Sequence, residues 1–262
     1  MKPMKAPVSA AAIAAQVSRF RSFDECLVAL RAALGQVQRP FALSFINAHG
    51  FNLCHRDKAY NLAMIRSDMI LRDGTGMALL YKAMGEDPGQ NFCGTDFIPY
   101  LLDKLGRKKI ALIGTRNPYL QQAARRLTEN GMEVVHLEHG FLEPGDYVAR
   151  LKEARPELVL LGMGNPKQEK VAALLRAQLD FPCLLISGGA IIDYLGGKIS
   201  RAPLWMRNLG VEWVYRLHLE PRRMFGRYVI GNTLFLLRLA HVKWRQTGNW
   251  NLQNPSELTY ET

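Results

Sequence analysis

Cysteine is scarce in this sequence, and the few cysteines stand far apart. The 262 residues contain four of them, Cys26, Cys54, Cys93 and Cys183. No two form a CxxC pair, which excludes the common thiol metal sites and dithiol redox motifs. We therefore expect reduced cysteines in the core of a cytosolic protein.

Long apolar runs are missing as well. No uninterrupted apolar stretch of about 18 residues occurs, so a membrane-spanning helix is not expected. The first residues, MKPMKAPVSAAAIAAQ, combine lysines with an alanine run but lack a strong apolar stretch. They are therefore not expected to form a secretory signal peptide.

Several motifs that would define a cofactor or an enzyme class are absent. GTGMAL (74–79) begins like the dinucleotide fingerprint GxGxxG but lacks its third glycine, and GGKIS (196–200) lacks the P-loop spacing. His136 and His139 form HxxH without the glutamate of a zinc protease. The sequence has no DxD, the acidic pair that often holds a metal on a nucleotide-sugar diphosphate. We expect neither a metal nor a cofactor.

Acidic residues are outnumbered, and the imbalance is concentrated towards the C-terminus. The formal net charge is +11, and residues 201–245 alone contain nine basic and two acidic residues. All four tryptophans also follow residue 200. Such a charge favours an anionic partner: nucleic acid, a phosphorylated ligand or an acidic membrane surface. Arginines interleaved with aromatic residues favour a membrane or a diphosphate over simple solvation.

Apolar runs of strand length alternate with segments of helical period. This pattern predicts an α/β, Rossmann-like fold: a mostly parallel sheet with helices on both faces. Strands are predicted at 41–46, 69–71, 110–114, 133–137, 158–162 and 183–187, and helices near 22–34, 50–66, 75–84, 96–105, 117–129, 145–155 and 166–178.

The chain is predicted to have three parts. Residues 1–200 form the catalytic α/β domain. Residues 201–245 form a basic, aromatic-rich helical appendage of two or three helices, broken at Pro221 and near Gly231, that associates with a membrane. Residues 246–262 form a polar tail.

Polar or glycine-rich residues follow each predicted strand, where parallel sheets bind their ligands. Asp73, in RDGTG, follows a short apolar strand and precedes a helix. Its carboxylate is placed to act as a general base on a bound hydroxyl. The alternative is an ordinary Asp-Gly turn, which is equally compatible with the sequence.

The segment GMGNPKQEK (162–170) also follows a strand. Gly164 admits a close approach, while Lys167 and Gln168 lie in the first turn of a helix that would otherwise prefer acidic residues. This favours a phosphate or uracil-sugar site, although glycine and proline alone would also suit a plain strand–helix connection. In SGGAIIDYLGGK (187–198), Gly188 and Gly189 allow a tight loop, and Asp193 either contacts the ligand or caps the helix.

The stretches RDGTGMALLYKAMG, CGTDFIPYLL, LGMGNPKQEK, SGGAIIDYLGGKISRAPLWMRNLGVEWVYRLHLEPRRMFGRY and VIGN occur in this order. Together they resemble the WecG/TagA/CpsF family of glycosyltransferases over about residues 41–240. The resemblance implies an inverting, metal-independent transfer from a UDP-sugar to a lipid-diphosphate-linked sugar, in bacterial cell-wall or exopolysaccharide assembly. It also implies a peripheral position on the cytoplasmic face of the cytoplasmic membrane, at its anionic inner leaflet.

Carried onto this sequence, the resemblance makes Asp73 the catalytic base. The implied substrate-binding residues are Asn47, Thr95, Asp96, Gly114, Gly164, Lys167, Gln168, Gly188, Gly189, Asp193, Arg216, Arg222 and Arg223. Two positions depart from the family pattern: Phe45 stands where many members have threonine, and Asn91 where many have arginine. We expect the donor sugar or the acceptor to differ from those of the best-known members.

Two other classes of function are weighed against the glycosyltransferase. A nucleic-acid-binding module would use the basic C-terminal helices, but it would leave the strand-end motifs without a purpose; no nucleic-acid partner is expected. A nicotinamide-dependent oxidoreductase is disfavoured because GxGxxG is absent. The sequence leaves a homo-oligomeric state open.

Overall fold

A computed structural model describes residues 10–247, and within them seven strands form one parallel sheet. The strands are β1 (Val17–Ser18), β2 (Phe41–Ile46), β3 (Met69–Arg72), β4 (Lys109–Gly114), β5 (Glu133–His139), β6 (Leu158–Leu161) and β7 (Leu184–Ser187). Their order across the sheet is β1-β3-β2-β7-β6-β4-β5, and every neighbouring pair is parallel. The predicted fold class is confirmed, and all six predicted strands are present.

Strand β1 was not predicted from the sequence. It has two residues, and it pairs with β3 at one edge of the sheet. A strand this short has no periodicity of its own, so only its tertiary pairing defines it.

Alternate side chains of the strands enter cores on opposite faces of the sheet. On β4, for example, Ile110 and Leu112 belong to one apolar cluster, while Ala111 and Ile113 belong to another. The second face also contains a third cluster, around Ile46 and Ile70. Burial on both faces explains why the inner strands are mostly apolar, whereas the edge strand β5 is partly exposed and carries polar residues.

Helices cover both faces. Those before residue 200 are α1 (Ala10–Gln16), α2 (Phe23–Gln36), α3 (Ala48–Arg56), α4 (Lys58–Ile65), α5 (Thr75–Ala83), α6 (Gly94–Leu105), α7 (Tyr119–Glu129), α8 (Pro144–Ala154), α9 (Lys167–Gln178) and α10 (Ile191–Leu195). The single helix predicted over 50–66 is in fact α3 and α4. Asp57 separates them, because its side chain caps α4 by accepting a hydrogen bond from the Tyr60 N–H at 2.9 Å.

The chain after residue 200 is helical, as predicted. It contains α11 (Leu204–Asn208), α12 (Glu212–Leu219), α13 (Pro221–Phe225), a π-helical turn (Gly226–Ile230) and α14 (Gly231–Thr247). Pro221 begins α13, as predicted. The predicted break near Gly231 is wrong: glycine tolerates helical geometry, its φ is −65° and its ψ −42°, and the π-helical turn leads directly into α14. Phe235 of α14 is buried in the apolar cluster beneath α3 and α5. The predicted tail, 246–262, lies outside the described residues except for its first two.

None of the helices in the described part of the chain has both the length and the apolar character to cross a membrane.

Candidate functional site

The carboxyl ends of β2 and β3 bring Asn47 and Asp73 together. The Asn47 amide donates a hydrogen bond from Nδ2 to Asp73 Oδ2 at 3.2 Å. Its Oδ1 accepts a hydrogen bond from the Gly50 N–H at 3.0 Å, which caps α3. Because the amide oxygen of Asn47 accepts the hydrogen bond from the helix, its NH₂ group is the part that faces the Asp73 carboxylate. Asp73, predicted from its motif, and Asn47, implied by the family resemblance, therefore form one unit.

The environment of Asp73 suits a base. Burial raises the pKa of the Asp73 carboxyl above its ordinary value, and the charge of Glu212 acts in the same direction. The Asn47 hydrogen bond and the charges of Arg227 and Arg216 oppose the rise. A carboxylate with a raised pKa accepts a proton more readily than an exposed one, so this group is suited to general base catalysis.

A buried arginine holds the loop that follows Asp73. The Arg72 guanidinium donates to the backbone carbonyls of Pro88, Gly74 and Gly89, each at 2.9 Å. The Gly74 N–H donates to Asn91 Oδ1 at 2.7 Å, and Gly74 has a φ of +85° that favours glycine. These bonds fix the backbone on both sides of the carboxylate.

Asn91 and Phe45, the two departures from the family pattern, have different surroundings. Asn91 holds the loop after Asp73 by accepting the hydrogen bond from the Gly74 N–H. Phe45 is buried in the core and packs against Phe97, with the ring centroids 6.3 Å apart. An apolar core contact therefore stands where many family members have a hydroxyl.

Gln168 joins two glycine loops. Its side chain is 2% exposed, and Oε1 accepts hydrogen bonds from the N–H groups of Gly164 and Gly189, both at 3.0 Å. Its Nε2 donates to Glu169 Oε1 at 2.8 Å and to the Ser187 carbonyl at 3.3 Å. Both the oxygen and the nitrogen of the Gln168 amide thus have hydrogen-bond partners within the protein. Its contact with a substrate stays a prediction, while its role in shaping the loops is visible.

Glu169 was not predicted as a site residue. It is 1% exposed, and burial raises the pKa of its carboxyl to about 7. Its Oε2 has no hydrogen-bond partner among the described residues. The nearby Tyr60 is buried as well, and its hydroxyl accepts a hydrogen bond from Asn165 Nδ2 at 3.0 Å. The only feature of the sequence that could have indicated Glu169 as a site residue is its position next to Gln168.

Lys167 and Asp193 also have partners within the protein. Lys167 Nζ donates to the Leu142 carbonyl at 3.1 Å. Asp193 forms an ion pair with Lys198 at 3.0 Å, and Lys198 Nζ also lies 3.3 Å from Thr115 Oγ1. Lys198, which was not among the predicted site residues, therefore places a cation at the end of β4.

The glycines at the strand ends allow close contacts between loops. A Cβ at Gly114 would lie 2.8 Å from the Gly162 carbonyl oxygen, and Gly189 has a φ of +62°. A Cβ at Gly188 would overlap the side chain of Ile191. Gly114 and Gly188 therefore require glycine for packing, and Gly189 for its backbone conformation, whether or not they contact a ligand.

An aromatic and cationic platform lies at the ends of β4 and β5. Phe141 is 60% exposed, and the Arg116 guanidinium lies 4.4 Å from its ring centroid. His139 lies beside it, with a ring distance of 5.8 Å. Exposed aromatic and guanidinium planes are surfaces on which nucleobases stack. No motif in the sequence pointed to this pair.

Asp96 links the start of α6 to the C-terminal helices. Its carboxylate accepts hydrogen bonds from both terminal nitrogens of Arg201. It also accepts one from Arg207 Nη2, which lies 3.1 Å from Oδ1. Arg201 also contacts Glu212 at 3.6 Å. The neighbouring Thr95 is buried, with Oγ1 3.2 Å from Cys93 Sγ. Asp96 therefore organises arginines, and its predicted contact with substrate is not part of this arrangement.

The C-terminal arginines differ in their relation to Asp73. Arg216 lies 3.6 Å from Glu212, and its charge acts on Asp73. Arg222 is exposed, and the side chain of Arg223 lies outside the described residues. Arg227, in the π-helical turn, has the larger effect on Asp73 and also acts on Glu169. Its Nε is buried without a partner in the described chain, which leaves a donor for an anion.

The outer side of the C-terminal helices exposes large apolar side chains, which we call the C-terminal apolar surface. It consists of Leu204, Trp205, Leu209, Trp213, Val214, Leu219, Phe225, Val229, Ile230, Leu234, Leu236 and Leu237. Exposed apolar groups in this number are unusual for a protein surface in water and mark an interaction site.

The carboxyl ends of the parallel strands bring together a carboxylate, an amide and several cationic side chains, at the edge of the sheet where α/β enzymes bind their ligands. The chain matches the sequence profile described as "Glycosyl transferase WecG/TagA/CpsF family" over residues 13–249. The protein belongs to this family and is a glycosyltransferase. Neither the nucleic-acid-binding nor the oxidoreductase alternative finds support.

Two relatives carry the name N-acetylglucosaminyldiphosphoundecaprenol N-acetyl-beta-D-mannosaminyltransferase. The protein from Bacillus subtilis (strain 168) is 28% identical over 174 residues, which cover 64% of this chain and 67% of the relative. The protein from Staphylococcus aureus (strain NCTC 8325) is 26% identical over 198 residues, which cover 73% of this chain and 76% of the relative.

Proposed function

We propose that this protein transfers a hexosyl or N-acetylhexosaminyl group from a UDP-sugar to a sugar linked to a polyprenyl diphosphate, with inversion and without a metal. The observation that carries the proposal is the half-buried Asn47–Asp73 pair at the carboxyl ends of β2 and β3. The names of the two relatives support this acceptor class, since both refer to a diphosphoundecaprenol-linked sugar. The product would serve bacterial cell-wall or surface polysaccharide synthesis.

In the proposed reaction, Asp73 takes the proton from the acceptor hydroxyl. The hydroxyl oxygen forms a bond to the anomeric carbon from the side opposite the diphosphate. The bond between that carbon and the diphosphate oxygen breaks, and UDP leaves with the electron pair. Asn47 orients the carboxylate through the 3.2 Å hydrogen bond. A single displacement of this kind inverts the configuration at the anomeric carbon.

The departing diphosphate needs positive charge that is already in position. Arg227 and Arg216 are the cations whose charges reach Asp73, and Lys198 lies at the end of β4. The Arg116–Phe141 platform offers a stacking surface for the uracil ring. These fixed cations support a mechanism in which no metal carries the diphosphate.

The C-terminal apolar surface is proposed to lie on the cytoplasmic membrane as a peripheral contact. Twelve large apolar side chains are exposed there, on a segment with an excess of basic residues. Apolar groups at an interface, together with basic residues worth about 1 kcal/mol each near anionic lipid, hold peripheral proteins on a leaflet. Such contact would bring a lipid-linked acceptor to the site.

Activity is tested by measuring UDP release from a panel of UDP-sugars, with a short-chain lipid diphosphate carrying N-acetylglucosamine as acceptor. Asp73→Asn should lower turnover on the order of 100-fold or more while UDP still binds. Asp103→Asn, an exposed carboxylate in α6, is the matched control and should retain full activity. Near-normal turnover of Asp73→Asn, or no turnover by the unmodified protein with any UDP-sugar, would overturn the proposal.

Membrane contact is tested by sedimentation with phosphatidylglycerol vesicles at low salt. Trp205→Ser should weaken binding, because a 61% exposed indole is lost from the C-terminal apolar surface. Val28→Ser removes a side chain that is 69% exposed on α2, outside this surface, and should bind like the unmodified protein. Equal binding by both variants, or none by the unmodified protein, would contradict the membrane contact.

A further inference from the structure

We propose that Asn52 is a positioning residue that fixes the π-helical turn containing Arg227 relative to the Asn47–Asp73 pair. The inference rests on the proposed function, in which Arg227 meets the diphosphate of the donor. Asn52 lies on α3, the helix whose N-cap residue, Asn47, donates a hydrogen bond to Asp73.

Both ends of the Asn52 side-chain amide form hydrogen bonds with the C-terminal helices. Asn52 is 3% exposed, and Nδ2 donates to the Gly231 carbonyl at 2.7 Å. Its Oδ1 accepts a hydrogen bond from the Arg238 guanidinium. A buried amide with both ends paired specifies one relative placement of the two elements, because any shift leaves a buried polar group unpaired.

Gly231 is the residue that closes the π-helical turn. Its N–H points back to the carbonyls of Gly226 and Tyr228, so Arg227 lies inside the segment that this contact completes. Asn52 thus holds the end of the turn through the carbonyl of the same residue. Single π-helical turns inside helices often occur at functional sites.

Packing around this hydrogen bond connects α14 to α3 and α5. Phe235 lies against Phe51 of α3 with ring centroids 5.7 Å apart. A Cβ at Gly76, in the first turn of α5, would lie 3.6 Å from the Phe235 ring. Helices α3 and α5 begin just after Asn47 and Asp73, respectively. The position of α14 is therefore set relative to the two residues at the reaction centre.

Asn52→Asp is the decisive variant. The carboxylate keeps the volume and the acceptor for Arg238, but it cannot donate to the Gly231 carbonyl. We expect turnover to fall roughly 10- to 100-fold, the scale of a small misplacement of a catalytic group. The affinity for UDP, measured by calorimetry, should fall as well. Asn61→Asp alters another buried amide, which donates to the Cys54 carbonyl at 2.9 Å, and should not change UDP affinity.

A purely structural role for Asn52 would give a different pattern. If Asn52 acts through Arg227, Asn52→Asp and Arg227→Gln should be non-additive in kcat/KM, because the second change removes what the first one displaces. The acid limb of the pH profile should also move to higher pH in Asn52→Asp, since Arg227 opposes protonation of Asp73 alongside Arg216 and against Glu212. Additive losses and an unmoved acid limb would overturn the proposal.

Failure of the proposed function can be distinguished from failure of the positioning role of Asn52. If the unmodified protein neither binds UDP nor transfers sugar, the function is wrong, and hydrogen exchange then decides on Asn52. Asn52→Asp should speed amide exchange over residues 226–231, whereas Asn61→Asp should not. Asn52→Leu, which lacks both hydrogen-bonding atoms, should give the same pattern as Asn52→Asp. Unchanged exchange at 226–231 in both Asn52 variants would refute the positioning role.

Discussion

Glu169→Gln should stabilise the protein, and more strongly as the pH rises. The buried Glu169 carboxyl has its pKa raised from 4.5 to about 7, so the folded state favours the protonated acid. Glutamine resembles that neutral form and keeps an oxygen to accept the Gln168 hydrogen bond. The variant removes the cost of ionising a buried group without removing its partner.

The pH window follows from the two pKa values. Between pH 4.5 and about 7 the folded protein holds a proton on Glu169 that the unfolded chain has lost. The free energy of unfolding of the unmodified protein therefore falls as pH rises through this window. A difference of about 2.5 pKa units corresponds to about 3 kcal/mol. We expect little advantage of the variant near pH 4.5 and nearly the full advantage at pH 8.

Urea denaturation of both proteins at pH 5, 6, 7 and 8 measures this difference. Comparing the two at each pH cancels the titration of all other groups. Glu129→Gln, at an exposed position of α7, is the control and should show no pH-dependent gain. A constant difference across the series, or a Glu169→Gln protein that is less stable at pH 8, would refute the assigned protonation of Glu169.

Two further predictions concern the diphosphate site and the glycine loops. A chelator should leave sugar transfer largely intact; loss of transfer with rescue by magnesium would show that a metal holds the diphosphate. Gln168→Leu should lower the free energy of unfolding by about 2–4 kcal/mol in urea, because the N–H groups of Gly164 and Gly189 lose their acceptor. Stability equal to that of the unmodified protein would show that solvent replaces this acceptor.

The sheet was predictable because its strands are apolar on both faces and short helices separate them. The same logic identified Asp73, since residues just after parallel strands meet at one edge, whereas Asn47 was singled out as a site residue through the family resemblance. The division of α3 from α4 was missed, because the apolar period continues through Asp57 and only its capping bond to Tyr60 reveals the break.

Residues that act across long sequence distances could not be predicted. Asn52 and Gly231 are 179 positions apart, and no local pattern marks their hydrogen bond. Arg227 is one of several arginines in its segment, and only the fold shows that its charge, like that of Arg216, acts on Asp73. The sequence identified Gln168 as important, but its partners are backbone N–H groups that any sequence would provide.

The occupation of the Gly164 and Gly189 N–H groups by Gln168 bears on the choice of inhibitors. Those two donors are not available to an oxyanion, so under the proposed function the diphosphate would be recognised by long cationic side chains such as Arg227. Rigid phosphate mimics designed for glycine-rich loops suit such a site poorly. Flat anionic groups that pair with a guanidinium through two oxygens match it better, and their binding should weaken steeply as salt is added.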